Sequence, residues 1–467
     1  MENFWDSNVW GTYLIIGILL ASLLVANTLK RKIPLLRKSL IPTSVLGGAL
    51  ILLAEGLFKL CSGGNALFDG AIFGGNAVST LEVLTYHCLA LGFIASTLKA
   101  SDAKMSKKRA TEIFNTGVTT VSTYLLQAIL GFGITMVAAL FIKEFFVSAG
   151  ILLPFGYGQG TGQALNYGGI YENQYGFAGG KSFGLTIAAM GFLSAAIGGV
   201  IHLNLLRKTK KIRLSEAAPH VLRSEEIEGE NEIPMQDSLD KMTVQVALIA
   251  VAYMVAYALM AVLGSILPGM KSVIYGFNFL LGVLAATLVK MVLKGLKKTK
   301  LMHREYTNNF LLTRISNFFF DLMVVAGVAA IRLDALENYW GVVLILGVVG
   351  LVSTYIYNHF VAKKLFPDNP EEQFLMMYGM LTGTASTGTI LLREIDGDFK
   401  TPAADNMVYQ NFPAIVFGFP MMLLATLAPQ KPALTMVILV LFFAAMNVIL
   451  FRSIIFKKKK DTVKAGK

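Results

Sequence analysis

Two stretches decide how this chain is built: Pro154-Phe155-Gly156-Tyr157-Gly158-Gln159-Gly160-Thr161-Gly162-Gln163 and Met380-Leu381-Thr382-Gly383-Thr384-Ala385-Ser386-Thr387-Gly388-Thr389. They sit in apolar segments, 145–167 and 371–392, that Gly, Ser and Thr interrupt too often for a simple membrane-crossing helix. Shifted by 226 positions, Thr161-Gly162 falls on Thr387-Gly388. A weaker match sets Leu91-Gly92-Phe93-Ile94-Ala95 over Ala326-Gly327-Val328-Ala329-Ala330.

Around these segments lie eleven apolar runs of about the 20 residues that a helix needs to cross a bilayer. They fall at 9–29, 39–58, 81–98, 113–142, 178–205, 241–267, 273–293, 310–332, 341–362, 403–427 and 432–454. Composition agrees. With Gly counted in place of Tyr, roughly 61% of the 467 residues are apolar, against about 45–50% in soluble domains. Charged residues make up 15%, against about 25% usually. A soluble fold cannot hide that much apolar surface, so an all-α polytopic membrane protein is expected. The start, Met1-Glu2-Asn3-Phe4-Trp5-Asp6, has no basic n-region, so the first run is expected to stay as a membrane helix.

The basic residues set the orientation. With the N-terminus outside and sides alternating at each span, 32 of the 41 Lys and Arg fall in cytoplasmic segments, 6 outside and 3 within spans. This is the positive-inside bias, and it holds only if both interrupted segments return to the side they entered. They are therefore expected to be re-entrant, the first entering from outside and the second from the cytoplasm. The C-terminus is then cytoplasmic. The net charge of +12 is accounted for by topology, and no nucleic-acid partner is expected.

The organisation expected is two inverted-topology five-helix halves, each with a re-entrant loop, plus one extra C-terminal helix. The N-terminal membrane half covers 1–205 and a solvated cytoplasmic linker 206–240. The C-terminal half covers 241–430, and a final helix with a basic tail covers 431–467. Oppositely oriented broken segments in the two halves point to the binding site of a secondary transporter. Glycine lets backbone approach closely and adopt positive φ, half-helix N-termini offer N–H groups to a carboxylate, and hydroxyls with unwound carbonyls suit Na⁺. Substrate contacts are expected from Gly158, Gln159, Gly160, Thr161, Gly162, Thr384, Ala385, Ser386, Thr387, Gly388 and Asp405. Thr161, Asn166, Ser386, Asn406 and Asn411 are candidates for Na⁺.

The chain resembles the bacterial sodium/glutamate symporters over about residues 10–430. The likeness rests on Ile41-Pro42-Thr43-Ser44-Val45-Leu46-Gly47-Gly48, on Gly158-Gln159-Gly160-Thr161-Gly162, on the second loop and on Tyr175-Gly176-Phe177. The resemblance implies ten core spans, loops meeting near the midplane, and Na⁺-coupled glutamate uptake across a bacterial plasma (inner) membrane. It also implies a homodimer with an elevator-like motion. The chain departs from the family in its first loop, which lacks a histidine, and at Ala385-Ser386, where a proline is expected. Those departures leave a di- or hydroxycarboxylate open as the alternative substrate.

Several other residues bear on the chemistry. Asp321 falls near mid-membrane, where a carboxylate is costly, and it is either functional or paired with Arg314 or Lys290. His87 and His202 lack partner spacing and are expected to pack. Gly47-Gly48, Gly131-Phe132-Gly133 and Gly198-Gly199 are expected to allow close helix packing. Cys61 and Cys88 form no metal motif, and Gly180-Lys181-Ser182 lacks the first glycine of a phosphate loop. Absence of HExxH and GxSxG patterns argues against an enzyme. No cofactor beyond Na⁺ as coupling ion is expected.

Overall fold

The computed structural model describes residues 3–75, 77–99, 106–209, 227, 231–235, 238–337, 339–397 and 400–455. Its helices begin with α1 (Ser7–Lys32), α2 (Thr43–Cys61), α3 (Ala77–Leu98) and α4 (Lys107–Phe141). The first interrupted segment follows as α5 (Leu152–Tyr157) and α6 (Thr161–Tyr175), leading into α7 (Gly180–Lys208). After the linker come α8 (Lys241–Ile266), α9 (Asn278–Lys298), α10 (Asn309–Ala329) and α11 (Trp340–Leu365). The second interrupted segment forms α12 (Pro370–Thr382) and α13 (Ala385–Arg393). The last helices are α14 (Pro402–Tyr409), α15 (Asn411–Leu427) and α16 (Pro432–Leu450).

Among the described residues ten helices are long and apolar enough to cross a membrane, and α14 with α15 makes an eleventh if that bent pair is one span. The protein is an all-helical multi-pass membrane protein, and no strand forms among the described residues. Helix starts are marked locally: Ser106, Asp240 and Asn308 accept bonds from backbone N–H groups in the first turns of α4, α8 and α10. Two of the differences from the pattern of apolar runs have a local cause in proline. The second helix begins at Thr43, because Pro42 keeps Ile41 out of the helical region. The run 403–427 bends by 46° between Tyr409 and Asn411, where Pro413 has no N–H to return to Tyr409.

The helices sort into two groups. In one, α3 packs on α10, α1 on α2 and α8 on α9, with α2 against α10 and α3 against α9. In the other, α4 is surrounded by α11, α15 and α16, and α7 packs on α5, α6, α11 and α12. Helix α6 joins the groups through α3 and α10. The glycine pairs serve packing, as expected: a Cβ on Gly48 would meet Val328 at 2.6 Å, and one on Gly198 the Tyr378 hydroxyl at 2.1 Å.

Most of the linker and the basic tail lie outside the described residues. The part described is not simply solvated. Glu232 accepts a hydrogen bond from Asn308 at 2.7 Å and pairs with the buried Lys241 at 2.7 Å. An acidic side chain from the linker is thus drawn to the roots of α8 and α10.

Candidate functional site

Both interrupted segments reverse direction. In the first, the rings of Phe155 and Tyr167 stack 3.8 Å apart, and Phe146 lies against Tyr171 and Phe177, so the limbs run back alongside each other. The turn is made at Gly160, at φ +80° and ψ −172°, a region essentially reserved for glycine. In the second, a Cβ on Gly379 would stand 2.8 Å from the Gly388 Cα, so α12 and α13 touch backbone to backbone.

The two turns meet. A Cβ on Gly160 would come 3.3 Å from the Thr384 methyl and 3.8 Å from the Gly383 carbonyl oxygen. Each turn is also a helix N-terminus: Gly160 caps α6 and Thr384 caps α13, and neither cap is closed by a side-chain hydrogen bond. First-turn N–H groups have no partner within their own helix and carry the positive end of its dipole. Two such ends at one junction favour an anion. Gln159 Nε2 and Gln163 Nε2 are buried beside the first turn and make no hydrogen bond to the protein. They are donors that a carboxylate would satisfy.

Helix α4 holds both turns. The Tyr124 hydroxyl donates to the Gly158 carbonyl at 3.0 Å. Gln127 Nε2 donates to the Leu381 carbonyl at 3.0 Å and to Thr354 Oγ1 at 2.8 Å. Three residues apart, Tyr124 and Gln127 share one helix face. Sequence reasoning did not single them out, though two polar side chains at that spacing inside an apolar span were the available signal. On its far side the first turn rests on α3 and α10. Leu89 lies against Gly162, and Thr161 lies against Gly327 and donates to the Met323 carbonyl at 3.4 Å.

Of the residues expected at the site, Gly158, Gln159, Gly160, Thr161, Gly162, Thr384, Ala385, Ser386 and Thr387 lie at or next to the two turns. Gly388 instead packs inside the second hairpin, where a Cβ would meet the Met376 carbonyl at 2.7 Å. Asn166 turns toward α9, donating to the Gly276 carbonyl. Asp405 pairs with Arg109 at 3.3 Å and is largely exposed. Asn406 is buried between Arg109 and Gln373. Gln373 precedes Thr382 by nine residues, about 13 Å of helix, so Asp405 and Asn406 sit at the base of the second hairpin instead of its tip. Asn411 accepts from Gln410, which reaches Met380 Sδ at 3.5 Å and accepts from Thr120 at 3.0 Å, beside the tip. Asp321 makes neither expected ion pair. It faces Ser44, while Lys290 donates to the Thr97 and Lys99 carbonyls and Arg314 lies over the Phe310 ring.

The class that fold and site define is a multi-pass helical membrane protein in which the turns at Gly160 and Thr384 meet. No protein-family model matches the chain, and no curated protein sequence matches it.

Proposed function

We propose that this chain is a secondary active transporter, neither enzyme nor channel, that couples Na⁺ to the symport of glutamate or a similar anionic amino acid. The observation that carries this is the contact of Gly160 with Thr384, which sets two uncapped helix N-termini at one junction. An anion there meets dipoles and amide donors in place of a side-chain cation. The Thr384 and Ser386 hydroxyls on one side, and Thr161 with the Met323 carbonyl on the far side of the first turn, supply oxygen for Na⁺. The paired hairpins fit two inverted halves with re-entrant loops, and a homodimer in a bacterial inner membrane is part of the same proposal.

The asymmetry of the tips fits alternating access. The first is packed against α3 and α10, whereas Ala385 in the second is exposed, with Ser386 and Thr389 partly so. Arg314, Asn317 and Asp321 are exposed along one face of α10, and charges at membrane depth call for water or protein beside them. One observation favours a second substrate class, di- or hydroxycarboxylates. Asp405, the one carboxylate among the expected substrate contacts, is paired with Arg109 at the hairpin base.

Counterflow in proteoliposomes with acidic amino acids and dicarboxylates separates the two substrate classes. Uptake rises with external Na⁺, and Thr161→Ala and Ser386→Ala each raise the Na⁺ half-saturation roughly two- to tenfold, the value of one lost ligand or hydrogen bond. Equal uptake in choline and sodium media removes Na⁺ coupling, and wild-type Na⁺ affinity in both variants removes the hydroxyls from the cation site.

Topology is tested separately. In a chain with Cys61 and Cys88 replaced, a cysteine at the exposed Asn173 labels from outside intact cells. One at Asp368, whose side chain is 62% exposed, labels only after the membrane is opened. Both labelling from one side would sink the inverted arrangement.

A further inference from the structure

Away from the hairpin tips, three elements bring two imidazoles and a carboxylate together. His202 on α7, His359 on α11 and Glu371 in the first turn of α12 place one ligand atom each within 4.8 Å of one another. His202 and His359 each lie six residues from the end of their helices at Lys208 and Leu365. His202 Nε2 is 2.9 Å from a Glu371 carboxylate oxygen, and its Nδ1 is 2.8 Å from the Tyr355 hydroxyl. Tyr355 and His359 are four residues apart on α11, so they share one face. The Phe374 ring lies 4.3 Å from His202 and 5.1 Å from His359, walling the group on a third side. His202 is 3% exposed, and Glu371 retains 15% side-chain exposure, so the group is enclosed yet reachable.

We propose that His202, His359 and Glu371 form a binding site for a divalent first-row transition cation, with Zn²⁺ as its natural probe. Two neutral imidazoles and a carboxylate are a standard three-ligand set for Zn²⁺, with water completing the shell. Bonds of about 2.0–2.1 Å place tetrahedral ligands about 3.4 Å apart, a spacing these side chains reach by small rotations. A His202 Nδ1–H donated to Tyr355 leaves Nε2 as the lone pair facing Glu371, the outer-sphere arrangement that orients a metal-bound histidine. Such a cation ties the base of the second hairpin to α7 and α11. The site does not depend on what the hairpin tips carry.

The test uses the full chain, purified in detergent without a polyhistidine tag. Titration with Zn²⁺ is expected to show one ion per chain and a rise in the thermal midpoint, and Co²⁺ is expected to give visible absorption bands of tetrahedral intensity. His359→Ala leaves the His202–Glu371 contact in place and is expected to weaken Zn²⁺ binding by at least tenfold, as is Glu371→Gln. Tyr355→Phe, which removes only the outer partner that orients His202, is expected to weaken it less than either ligand variant. A wild-type chain that binds no Zn²⁺ and gives no such Co²⁺ spectrum overturns the proposal, whatever the variants do. So does wild-type affinity in folded His359→Ala, because the trio would then be a hydrogen-bonded clamp alone.

Discussion

Gly160→Val is expected to abolish uptake while the protein still reaches the membrane. The residue sits at φ +80° and ψ −172°, where a non-glycine residue costs about 1–3 kcal/mol and a β-branched one is a genuine outlier. The new side chain also starts 3.3 Å from the Thr384 methyl, so its γ-carbons push the two tips apart. Both effects fall on the junction where the N-termini of α6 and α13 face each other. A site made of backbone dipoles has no charged side chain to compensate for their displacement, and a shift of about 1 Å in positioning can cost about a hundredfold. The check is uptake per molecule of surface-expressed protein, with Gly160→Ala as the smaller step in the same direction. Wild-type uptake in Gly160→Val would remove the tip contact from the transport site.

Gly150→Ala is expected to act on the fold instead. A Cβ there would lie 1.9 Å from the Gly131 carbonyl oxygen and 2.7 Å from Thr135 Oγ1, and a Cβ on Gly131 would lie 2.3 Å from the Gly150 carbonyl oxygen. The two backbones touch, so no side chain can rotate away to make room. Thr135 secures the contact, accepting from the Gly150 N–H at 3.1 Å and donating to the Val147 carbonyl at 2.6 Å. Overpacking a core typically costs about 1–3 kcal/mol, and losing each of the two hydrogen bonds adds about 0.5–1.5 kcal/mol. The expected result is a lowered thermal midpoint and reduced yield of monodisperse protein. An unchanged midpoint would mean that the approach of α4 to the first hairpin is looser than 1.9 Å implies. Together, the two glycine variants distinguish a residue required by the site from one required by packing.

How much of this was legible in the chain differs from residue to residue. The apolar runs and the two interrupted segments follow from composition and length, because a bilayer-spanning helix is a local object whose backbone bonds close within itself. Gly158–Gly162 and Thr384–Thr387 were legible as unusual for the same reason: glycines and hydroxyls inside an apolar run break a local rule. Asp405 and Asn406 were misplaced because proximity along the chain says little about the position of a bent helix. The break beside Pro413 and the pull of Arg109 set them at the base of the hairpin. His202 was set aside as packing because its partners His359 and Glu371 lie 157 and 169 residues further along, at no spacing that a periodicity can detect.

By itself, then, the sequence determined the class of protein, the approximate places of its membrane helices and the two interrupted segments, since all of these depend on interactions within some twenty residues. Only the tertiary structure decided that Gly160 meets Thr384, that Tyr124 and Gln127 tether both turns, and that two histidines converge on Glu371. Those contacts are fixed by which helix faces approach closely. That approach depends on glycine-sized gaps on both partners at once, as where the Gly131 and Gly150 backbones touch.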